Sequence, residues 1–448
     1  MAKRAVLRLL TSLIAFALFA ELLGLIAYYV DTGALFYLHG KEYPEPFATP
    51  EDRLSLGEAV HPYFGFTHTP GTPFDIPASL QAGTATESAA PPRDTFAPRS
   101  TEPALRTNNF GFVAPHDYPF PKAREQQFVI GIFGGSVGVW FCQLGAPRMA
   151  DALKQHPYFQ NREVIPLCFS HEGYKQPQEA LALTYFLSVG QTFDLVVNLD
   201  GFNDVALGAL NDSRGLDVSM PSAQHLGALI DLINQSAMTP DKLQSLAAIF
   251  RGRARLAELT ASIRRNRLAS VHVVLDRSYW RVRDDYVREL GRYNTLPSNP
   301  PDNALVRVSP APRTRDAATL FSDIAATWAR SSILMHDTLA ARGTAYVHVL
   351  QPNQYYSMRA FSEAEAATAL SDASPYKTAV EHGYPRLVAA GASLLNRRIR
   401  FVDATGVFNR TPAPVYMDNC CHYTLAGNQV LADFMAAAIL RTPGPWVK

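Results

Sequence analysis

The sequence predicts an α/β protein whose parallel sheet is covered by helices on both faces. From residue 127 onward, short runs of β-branched and other apolar residues alternate with segments of helical character. The predicted strands are FVIGIF, EVIPLCF, DLVVNLD, AYVHVL and RIRFVD, and the clearest helices between them are PQEALALTYFLSVG and TWARSSILMHDTLAARG. Strands that are apolar along their whole length are typical of parallel sheets, because both faces of such a sheet are buried.

Composition and charge narrow the class of protein. The chain has 448 residues, of which 47% are hydrophobic and 18% are charged, and its formal net charge is +1. This length and apolar content suit either several domains or one large domain with insertions. The near-zero net charge gives no indication of a nucleic-acid partner.

The first 30 residues predict a membrane anchor. Lys3, Arg4 and Arg8 precede a long apolar run. About 20 apolar residues cross a bilayer as a helix, and basic residues before the run keep the N-terminus in the cytoplasm. We therefore predict a cytoplasmic tail over residues 1–8 and a transmembrane helix over residues 9–30. The protein is then a single-pass protein of the inner membrane, with the bulk of the chain periplasmic.

Two features of this N-terminal segment leave alternatives open. A cleaved signal peptide also begins with basic residues, but its apolar region is shorter and ends in small residues, which LFA-EL matches poorly. Glu21 lies within the apolar run, where an ionisable side chain is costly and often contacts another helix. A membrane-protein partner near Glu21 is therefore one interpretation, and a protonated or snorkelling carboxyl group is the other.

The rest of the chain divides into a core and two further regions. Residues 31–126 are predicted to form an extracytoplasmic linker and lead-in segment, and residues 70–105 within it are rich in Pro, Ala, Ser and Thr. Such a composition is typical of a linker or surface loop, because it cannot bury a core. The predicted core comprises residues 127–205 and 331–448, and a mostly helical, Arg-rich insertion occupies residues 206–330.

The end of the first predicted strand carries a candidate nucleophile. In QFVIGIFGGSVGVWF the strand stops at Gly134 and Gly135, and Ser136 follows. The stretch lacks both the Lys-Ser/Thr ending of a P-loop and the Gly-x-Gly-x-x-Gly order of a dinucleotide-binding loop. It does contain Gly-x-Ser-x-Gly, the turn that exposes a serine nucleophile. A serine hydroxyl also needs a base, a residue that orients the base, and donors for the oxyanion.

Four further residues lie where these partners are needed. Gly173 follows the second predicted strand, and Asn203 follows the third. The carboxyl ends of parallel strands meet at one edge of a sheet, so we expect both residues near Ser136. Asp418 and His422 directly precede the last predicted helix.

These blocks, in this order, resemble the SGNH/GDSL hydrolase family, and the stretches RTNNFGF and LQPNQYY are similar to its membrane-anchored bacterial members. The resemblance implies a three-layer, flavodoxin-like core. It also implies a catalytic triad of Ser136, His422 and Asp418, and an oxyanion hole formed by the N–H groups of Ser136 and Gly173 and the side chain of Asn203. The α/β-hydrolase fold shares Gly-x-Ser-x-Gly, but it normally places several strands before the nucleophile.

The acidic member of this triad departs from the pattern of the family. The family spaces the two residues as Asp-x-x-His, whereas Asn419, Cys420 and Cys421 separate Asp418 from His422. Either the loop bulges so that Asp418 still reaches the imidazole, or Asn419 stands at the position of the acid. An amide there orients the imidazole but stabilises an imidazolium less well.

Cysteine and histidine positions predict neither a metal site nor a cofactor. The four cysteines are Cys142, Cys168, Cys420 and Cys421. An even number permits disulfides without determining their pairing. Adjacent cysteines rarely pair with each other, so one option is a bridge from Cys420 or Cys421 to Cys142. No group of His, Cys and carboxylate residues shows the spacing of metal ligands, and His171 either lines the pocket or has no part in the site.

The resemblance implies a membrane-anchored, extracytoplasmic serine esterase or O-acyltransferase. Its expected substrate is an O-acyl group of a glycan, notably acetyl, or another ester, and the acyl group leaves to water or to an acceptor hydroxyl. The alternative from another class is a catalytically silent scaffold or accessory subunit of a membrane complex. The lengthened Asp–His spacing, the adjacent cysteines and the insertion leave this alternative open.

Overall fold

The computed structural model describes residues 2–38, 58–74, 105–226, 238–297, 309–310 and 313–447. The described strands are β1 (Glu58–His61), β2 (Gly65–His68), β3 (Pro73–Phe74), β4 (Leu105–Arg106), β5 (Gln127–Gly134), β6 (Glu163–Ser170), β7 (Leu195–Asp200), β8 (Ala345–Leu350) and β9 (Phe401–Asp403). The described helices are α1 (Ala2–Thr32), α2 (Ser136–Leu144), α3 (Ala146–Leu153), α4 (Gln178–Ser188), α5 (Phe202–Ser213), α6 (Pro240–Arg265), α7 (Ala269–Thr295), α8 (Ala317–Ala340), α9 (Glu363–Ala369), α10 (Lys377–Leu395) and α11 (Leu425–Leu440).

These elements form two compact units. The first unit comprises residues 2–38 and 238–297, and the second comprises residues 58–74, 105–226, 309–310 and 313–447. The second unit includes both ends of the predicted insertion, since α5 and α8 pack against each other and against α10 there.

A five-stranded parallel sheet forms the centre of the second unit. The strands lie in the order β6-β5-β7-β8-β9, and every neighbouring pair is parallel. Numbered along the chain, this is the flavodoxin-like order 2-1-3-4-5. All five strands coincide with the predicted apolar runs, so the predicted fold class is confirmed.

Two helical layers bury this sheet. Helices α2, α3 and α11 pack together on one side, and α4, α5, α8 and α10 pack together on the other. Both β5 and β7 are buried at every position. Burial on both faces is the physical reason that these strands are apolar throughout instead of alternating with polar residues.

Part of the segment predicted as linker and lead-in packs on the core of the second unit. Phe64, Phe66 and Phe112 are buried in that core. The hydroxyl of Tyr174, just after β6, donates a hydrogen bond to the backbone oxygen of Phe66 at 2.6 Å. The aromatic residues that surround the Pro- and Ala-rich stretch therefore complete the core, and residues 75–104 of the stretch itself lie outside the described residues.

Helix α1 contains the apolar N-terminal segment. The segment Thr11–Thr32 has a mean hydropathy of 2.1 over its apolar window. Among the described residues, α1 is the one helix that is long and apolar enough to cross a membrane. A signal sequence meets the same criterion. In the first unit α1 packs against α7, which also packs along α6.

The ionisable residue within the apolar run of α1, Glu21, has its hydrogen-bond partners in the same chain. The carboxylate of Glu21 accepts hydrogen bonds from the backbone N–H of Ala269 at 2.6 Å and from the N–H and hydroxyl of Ser270 at 3.1 and 2.7 Å. The hydroxyl of Tyr37 donates a further one. The first N–H groups of a helix lack partners within it, so a carboxylate stabilises its N-terminus. The contact of Glu21 with another helix is thus made by α7 of the same chain, and a separate protein partner at Glu21 is not supported.

One disulfide joins α2 to the sheet. Cys142 and Cys168 are bonded, with their Cα atoms 5.8 Å apart, whereas Cys420 and Cys421 are free thiols. The bridge from Cys142 to one of the adjacent cysteines is therefore wrong. Helix α2 crosses back over β6, which places Cys142 above a residue of the neighbouring strand, and the sequence does not show this proximity.

Replacing both Cys142 and Cys168 by alanine is expected to lower the free energy of unfolding of the second unit by about 3 kcal/mol. The disulfide joins residues with a sequence separation of 26 and so restricts the unfolded chain. Urea unfolding of the full chain in detergent, parent against double variant, measures the difference. The parent unfolded with a phosphine reductant serves as the control and should match the variant. Equal stability of parent and variant without reductant would contradict the expectation.

Candidate active site

Ser136 is the first residue of α2, directly after β5 and Gly135. A Cβ atom on residue 135 would lie 2.1 Å from Nδ2 of Asn203. Only glycine therefore leaves room for that amide beside the serine. The tight connection from strand to helix holds Ser136 at the carboxyl edge of the sheet.

Hydrogen bonds join Ser136, His422 and Asp418. The Oγ atom of Ser136 lies 2.8 Å from Nε2 of His422, although the two residues are 286 positions apart in the chain. The Nδ1 atom of His422 lies 2.5 Å from Oδ2 of Asp418. The base is thus within reach of the nucleophile and is itself oriented by a carboxylate, which is the arrangement that activates a serine. We refer to these three residues as the relay.

The loop between Asp418 and His422 resolves the unusual spacing. The Oδ1 atom of Asp418 accepts hydrogen bonds from the backbone N–H groups of Cys420, Cys421 and His422 at 2.9, 3.0 and 3.2 Å. The chain therefore curls around the carboxylate and brings the imidazole back to it. The side chain of Asn419 is exposed. Of the two options that the sequence leaves open, the structure has the bulged loop, with Asp418 at the imidazole.

The imidazole and the carboxylate of the relay shift each other's pKa. Burial acts to lower the pKa of His422, but the charge and hydrogen bond of Asp418 raise it to about 9. Burial acts to raise the pKa of Asp418, but the charge of His422 and the hydrogen bonds to the carboxylate outweigh this and lower it. The two side chains keep 20% and 33% of their surface exposed, so solvent moderates the effect of burial. Both shifts favour the imidazolium–carboxylate form of the pair.

Asn203 and Gly173 lie at the same edge of the sheet as Ser136. The Nδ2 group of Asn203 donates a hydrogen bond to the backbone oxygen of Tyr174 at 2.8 Å, which holds the amide beside Gly135. Gly173 precedes Tyr174 and has a φ of +78°. A Cβ atom on residue 173 would lie 2.2 Å from the ring of His225, so both the backbone conformation and the close ring require glycine.

The loops that carry Gly173 and Asn203 are tied together by Asp204. Its carboxylate accepts hydrogen bonds from the backbone N–H of Gln176 at 2.8 Å and of Gly201 at 3.2 Å. Burial and the charge of Asp200 raise the pKa of Asp204 to about 8. Asp204 therefore connects the loop after β6 to the loop after β7 and has a structural part beside the site.

Sequence reasoning did not single out three residues beside the relay. The Cys421 side chain is buried beside the relay; burial raises the pKa of its thiol, and the Ser136 hydroxyl counteracts part of that rise. Tyr174 acts through its backbone oxygen, which every residue type supplies, so its identity carries no signal. His225 comes from the predicted insertion and covers Gly173. The one available signal was the position of Cys421 next to His422.

The strand order, the serine after the first core strand and the Asp–His pair before the last helix define an SGNH/GDSL hydrolase-like fold. No family model matches the chain, and no curated protein matches it.

Three solved structures resemble the chain at low identity. A lipase/acylhydrolase from Enterococcus faecalis has 11% identity and a TM-score of 0.31, and the match covers 70% of this chain and 97% of that one. A GDSL-like lipase from Bacteroides thetaiotaomicron has 11% identity and a TM-score of 0.33, with coverages of 71% and 91%. An acetyl xylan esterase has 12% identity and a TM-score of 0.33, with coverages of 70% and 100%. At these scores, conclusions about chemistry depend on the residues of the chain itself.

Labelling of Ser136 by a fluorophosphonate is expected to accelerate with pH and to level off above pH 9, because only neutral His422 accepts the serine proton and its pKa is about 9. Intact-mass time courses of the full chain in detergent, taken from about pH 6 to about pH 10, measure the profile. A labelling rate that is flat over this range would contradict the raised pKa.

Asp418→Asn is expected to lower the labelling rate at high pH by about 10⁴, the loss seen when a triad carboxylate becomes an amide. Asn419→Ala is the matched control and should stay within about twofold of the parent, since the side chain of Asn419 is exposed. A larger loss in Asn419→Ala than in Asp418→Asn would reverse the assignment of the orienting residue.

Proposed function

We propose that the chain is a serine ester hydrolase or acyltransferase of the SGNH type. The observation that supports this most directly is the relay, in which Ser136, His422 and Asp418 are joined by hydrogen bonds of 2.8 and 2.5 Å. The backbone N–H of Gly173 and the side-chain amide of Asn203, beside the relay, are suited to bind an oxyanion. The same geometry meets the requirements of nucleophilic catalysis: a nucleophile, a base, an orienting acid and oxyanion donors.

The first half of the proposed reaction is acylation of the serine. Neutral His422 accepts the hydroxyl proton as Oγ of Ser136 attacks the carbonyl carbon of the ester. The N–H groups of Ser136 and Gly173 and the amide of Asn203 hold the oxyanion that forms. Asp418 stabilises the imidazolium, which then gives its proton to the departing alkoxide as the C–O bond breaks.

The second half releases the acyl group. His422 removes a proton from a water molecule or from an acceptor hydroxyl, whose oxygen attacks the acyl carbon. Collapse of the second tetrahedral intermediate returns the proton to Oγ of Ser136 and yields either a free acid or a new ester. Esterase and acyltransferase therefore share every residue of the relay, and they differ in which nucleophile reaches the acyl-enzyme first.

The substrate class in this proposal is an O-acyl ester of a glycan, with acetyl as the leading acyl group. This part rests on the resemblance of the sequence blocks to membrane-anchored bacterial relatives. The bulged loop accommodates the extra residue before His422, so the lengthened Asp–His spacing does not favour the catalytically silent scaffold.

We further propose that α1 remains attached and anchors the chain in the inner membrane, with the second unit outside the cytoplasm. Large apolar side chains of α1 are exposed, among them Phe16 at 71% and Leu18 at 67%. Removal of a leader would also remove the hydrogen bonds of Glu21 to the start of α7. The disulfide between Cys142 and Cys168 supports an oxidising compartment.

Ser136→Ala is expected to abolish hydrolysis of p-nitrophenyl acetate by the full chain in detergent, and Asn203→Ala is expected to lower kcat by about 10²–10³, the value of one oxyanion donor. Asn419→Ala, an exposed asparagine near the same site, is the matched control and should keep the rate of the parent. Normal activity in Asn203→Ala would show that Asn203 is not an oxyanion donor. Normal activity in Ser136→Ala would refute the proposed function.

A further inference from the structure

Two free thiols lie in the loop that carries the base of the relay. Cys420 and Cys421 are adjacent in the chain, between Asp418 and His422, and their Sγ atoms lie 3.1 Å apart. Cys421 is 1% exposed and Cys420 is half-buried, so Cys420 is the thiol that solvent reaches. The proposed acyl transfer uses neither thiol. We call these two residues the thiol pair.

The peptide group that joins the thiol pair is held at both ends. Its carbonyl oxygen belongs to Cys420 and accepts a hydrogen bond from Nδ2 of Asn353 at 3.1 Å. Its N–H group belongs to Cys421 and donates a hydrogen bond to Oδ1 of Asp418 at 3.0 Å. The orientation of this peptide group therefore fixes one of the contacts that hold the carboxylate of the relay.

A disulfide within the thiol pair requires this peptide group to turn. Consecutive Cα atoms are about 3.8 Å apart across a trans peptide, whereas disulfides normally join Cα atoms that are about 4.4–6.8 Å apart. The two sulfurs, now 3.1 Å apart, must also approach to a bond length of about 2.05 Å. Closure of the bond therefore strains the loop and loosens the hydrogen bond from Cys421 to Asp418.

The strain reaches the imidazole, because His422 directly follows the thiol pair. The backbone N–H of His422 lies 3.2 Å from Oδ1 of Asp418, and Nδ1 lies 2.5 Å from Oδ2. Beyond this point the backbone is fixed, since the N–H of Met417 donates to the backbone oxygen of His422 at 3.1 Å and Tyr416 pairs with Tyr423. The displacement is therefore taken up between Asp418 and His422, at the contact that orients the base.

We propose that the thiol pair is a modification site, at which a small-molecule disulfide oxidises Cys420 and Cys421 to a vicinal disulfide and thereby inactivates the relay. The proposal rests on the proposed function, because the relay is what the modification inactivates. Strained disulfides are reduced more readily than relaxed ones, so thiols reverse the modification.

The oxidation proceeds by thiol–disulfide exchange. The thiolate of Cys420 attacks one sulfur of the oxidant R–S–S–R, whose S–S bond breaks, and the departing R–S⁻ takes up the proton that Cys420 released. Sγ of Cys421 then attacks Sγ of Cys420 in this mixed disulfide, and the second R–S⁻ leaves with the proton of Cys421. Two thiols of the chain are thus oxidised to one disulfide, and one oxidant molecule is reduced to two thiols.

The rate of this exchange should rise with pH. The hydrogen bond with Cys421 and burial raise the pKa of the Cys420 thiol, and only the thiolate attacks a disulfide.

The experiment treats the full chain in detergent with oxidised glutathione and follows intact mass and fluorophosphonate labelling of Ser136 together. We expect the parent to lose two hydrogen atoms and its labelling rate to fall by at least about 10², because removal of the orienting carboxylate costs about 10⁴. Dithiothreitol should restore both mass and rate. The chain with Cys142 and Cys168 replaced by alanine lacks the other disulfide and should show the same fall and recovery.

Two further measurements identify the thiol pair as the cause. Cys420→Ser removes the sulfur that attacks first, so its labelling rate should be the same with and without the oxidant. The pKa of His422, obtained by mass spectrometry from the exchange of its C2 proton, should fall below about 9 on oxidation as the contact with Asp418 loosens.

The outcomes separate this proposal from the proposed function. A reduced parent that is not labelled would refute the proposed function, while intact mass and the pKa of His422 would still test the modification site. An unchanged mass, a mixed disulfide that does not close, an unchanged pKa of His422, or an oxidised chain that is labelled as fast as the reduced chain would each overturn the proposal. So would a Cys420→Ser variant that loses labelling in the oxidant.

Discussion

A buried carboxylate at the carboxyl end of β7 constrains the whole edge of the sheet. Asp200 accepts hydrogen bonds from Nε1 of Trp328 at 2.6 Å, Nε2 of His348 at 2.7 Å and Nδ2 of Asn198 at 2.6 Å. An uncompensated charge at this depth would cost several kcal/mol, so the partners are required for the fold. Burial acts to raise the pKa of Asp200, but the charge and hydrogen bond of His348 outweigh it and lower the pKa. The carboxylate thereby fastens α8 and β8 to β7.

The loops that build the candidate active site extend from Asp200. Asp200 also accepts a hydrogen bond from the side chain of Gln176 at 3.2 Å, and Asp204 accepts one from its backbone N–H. The loop after β6 is thus held to the loop after β7 by hydrogen bonds to two carboxyl groups, those of Asp200 and Asp204. Because Asn203 lies between them, its amide meets Tyr174 and Gly135 without room for adjustment. The position of the Asn203 amide is in this way a consequence of charge compensation in the core.

The four residues after β6 make contacts on two sides of their loop. Gly173 and Tyr174 contribute to the edge where Ser136 stands, and Tyr174 does so through its backbone oxygen. His171 and Glu172 contact His68, through ring packing and through a hydrogen bond of 2.8 Å respectively. The left-handed conformation of Gly173 is what separates the two pairs, since it turns the chain sharply between them. A substitution of Gly173 is therefore expected to displace residues on both sides of the loop.

The local sequence pattern by itself predicted the five parallel strands and the apolar helix α1, because strand burial and helix hydropathy depend on consecutive residues. It also predicted the serine, glycine and asparagine at the carboxyl ends of the strands. Only the tertiary structure decided that Asp418, and not Asn419, contacts His422, and that Cys142 pairs with Cys168. It likewise decided that Glu21 accepts hydrogen bonds from the start of α7 and that His68 packs against His171. Each of these depends on the path of a loop or on contact between residues far apart in the chain. Spacing along a sequence carries no information about such distances until the sheet and its helices have brought the residues together.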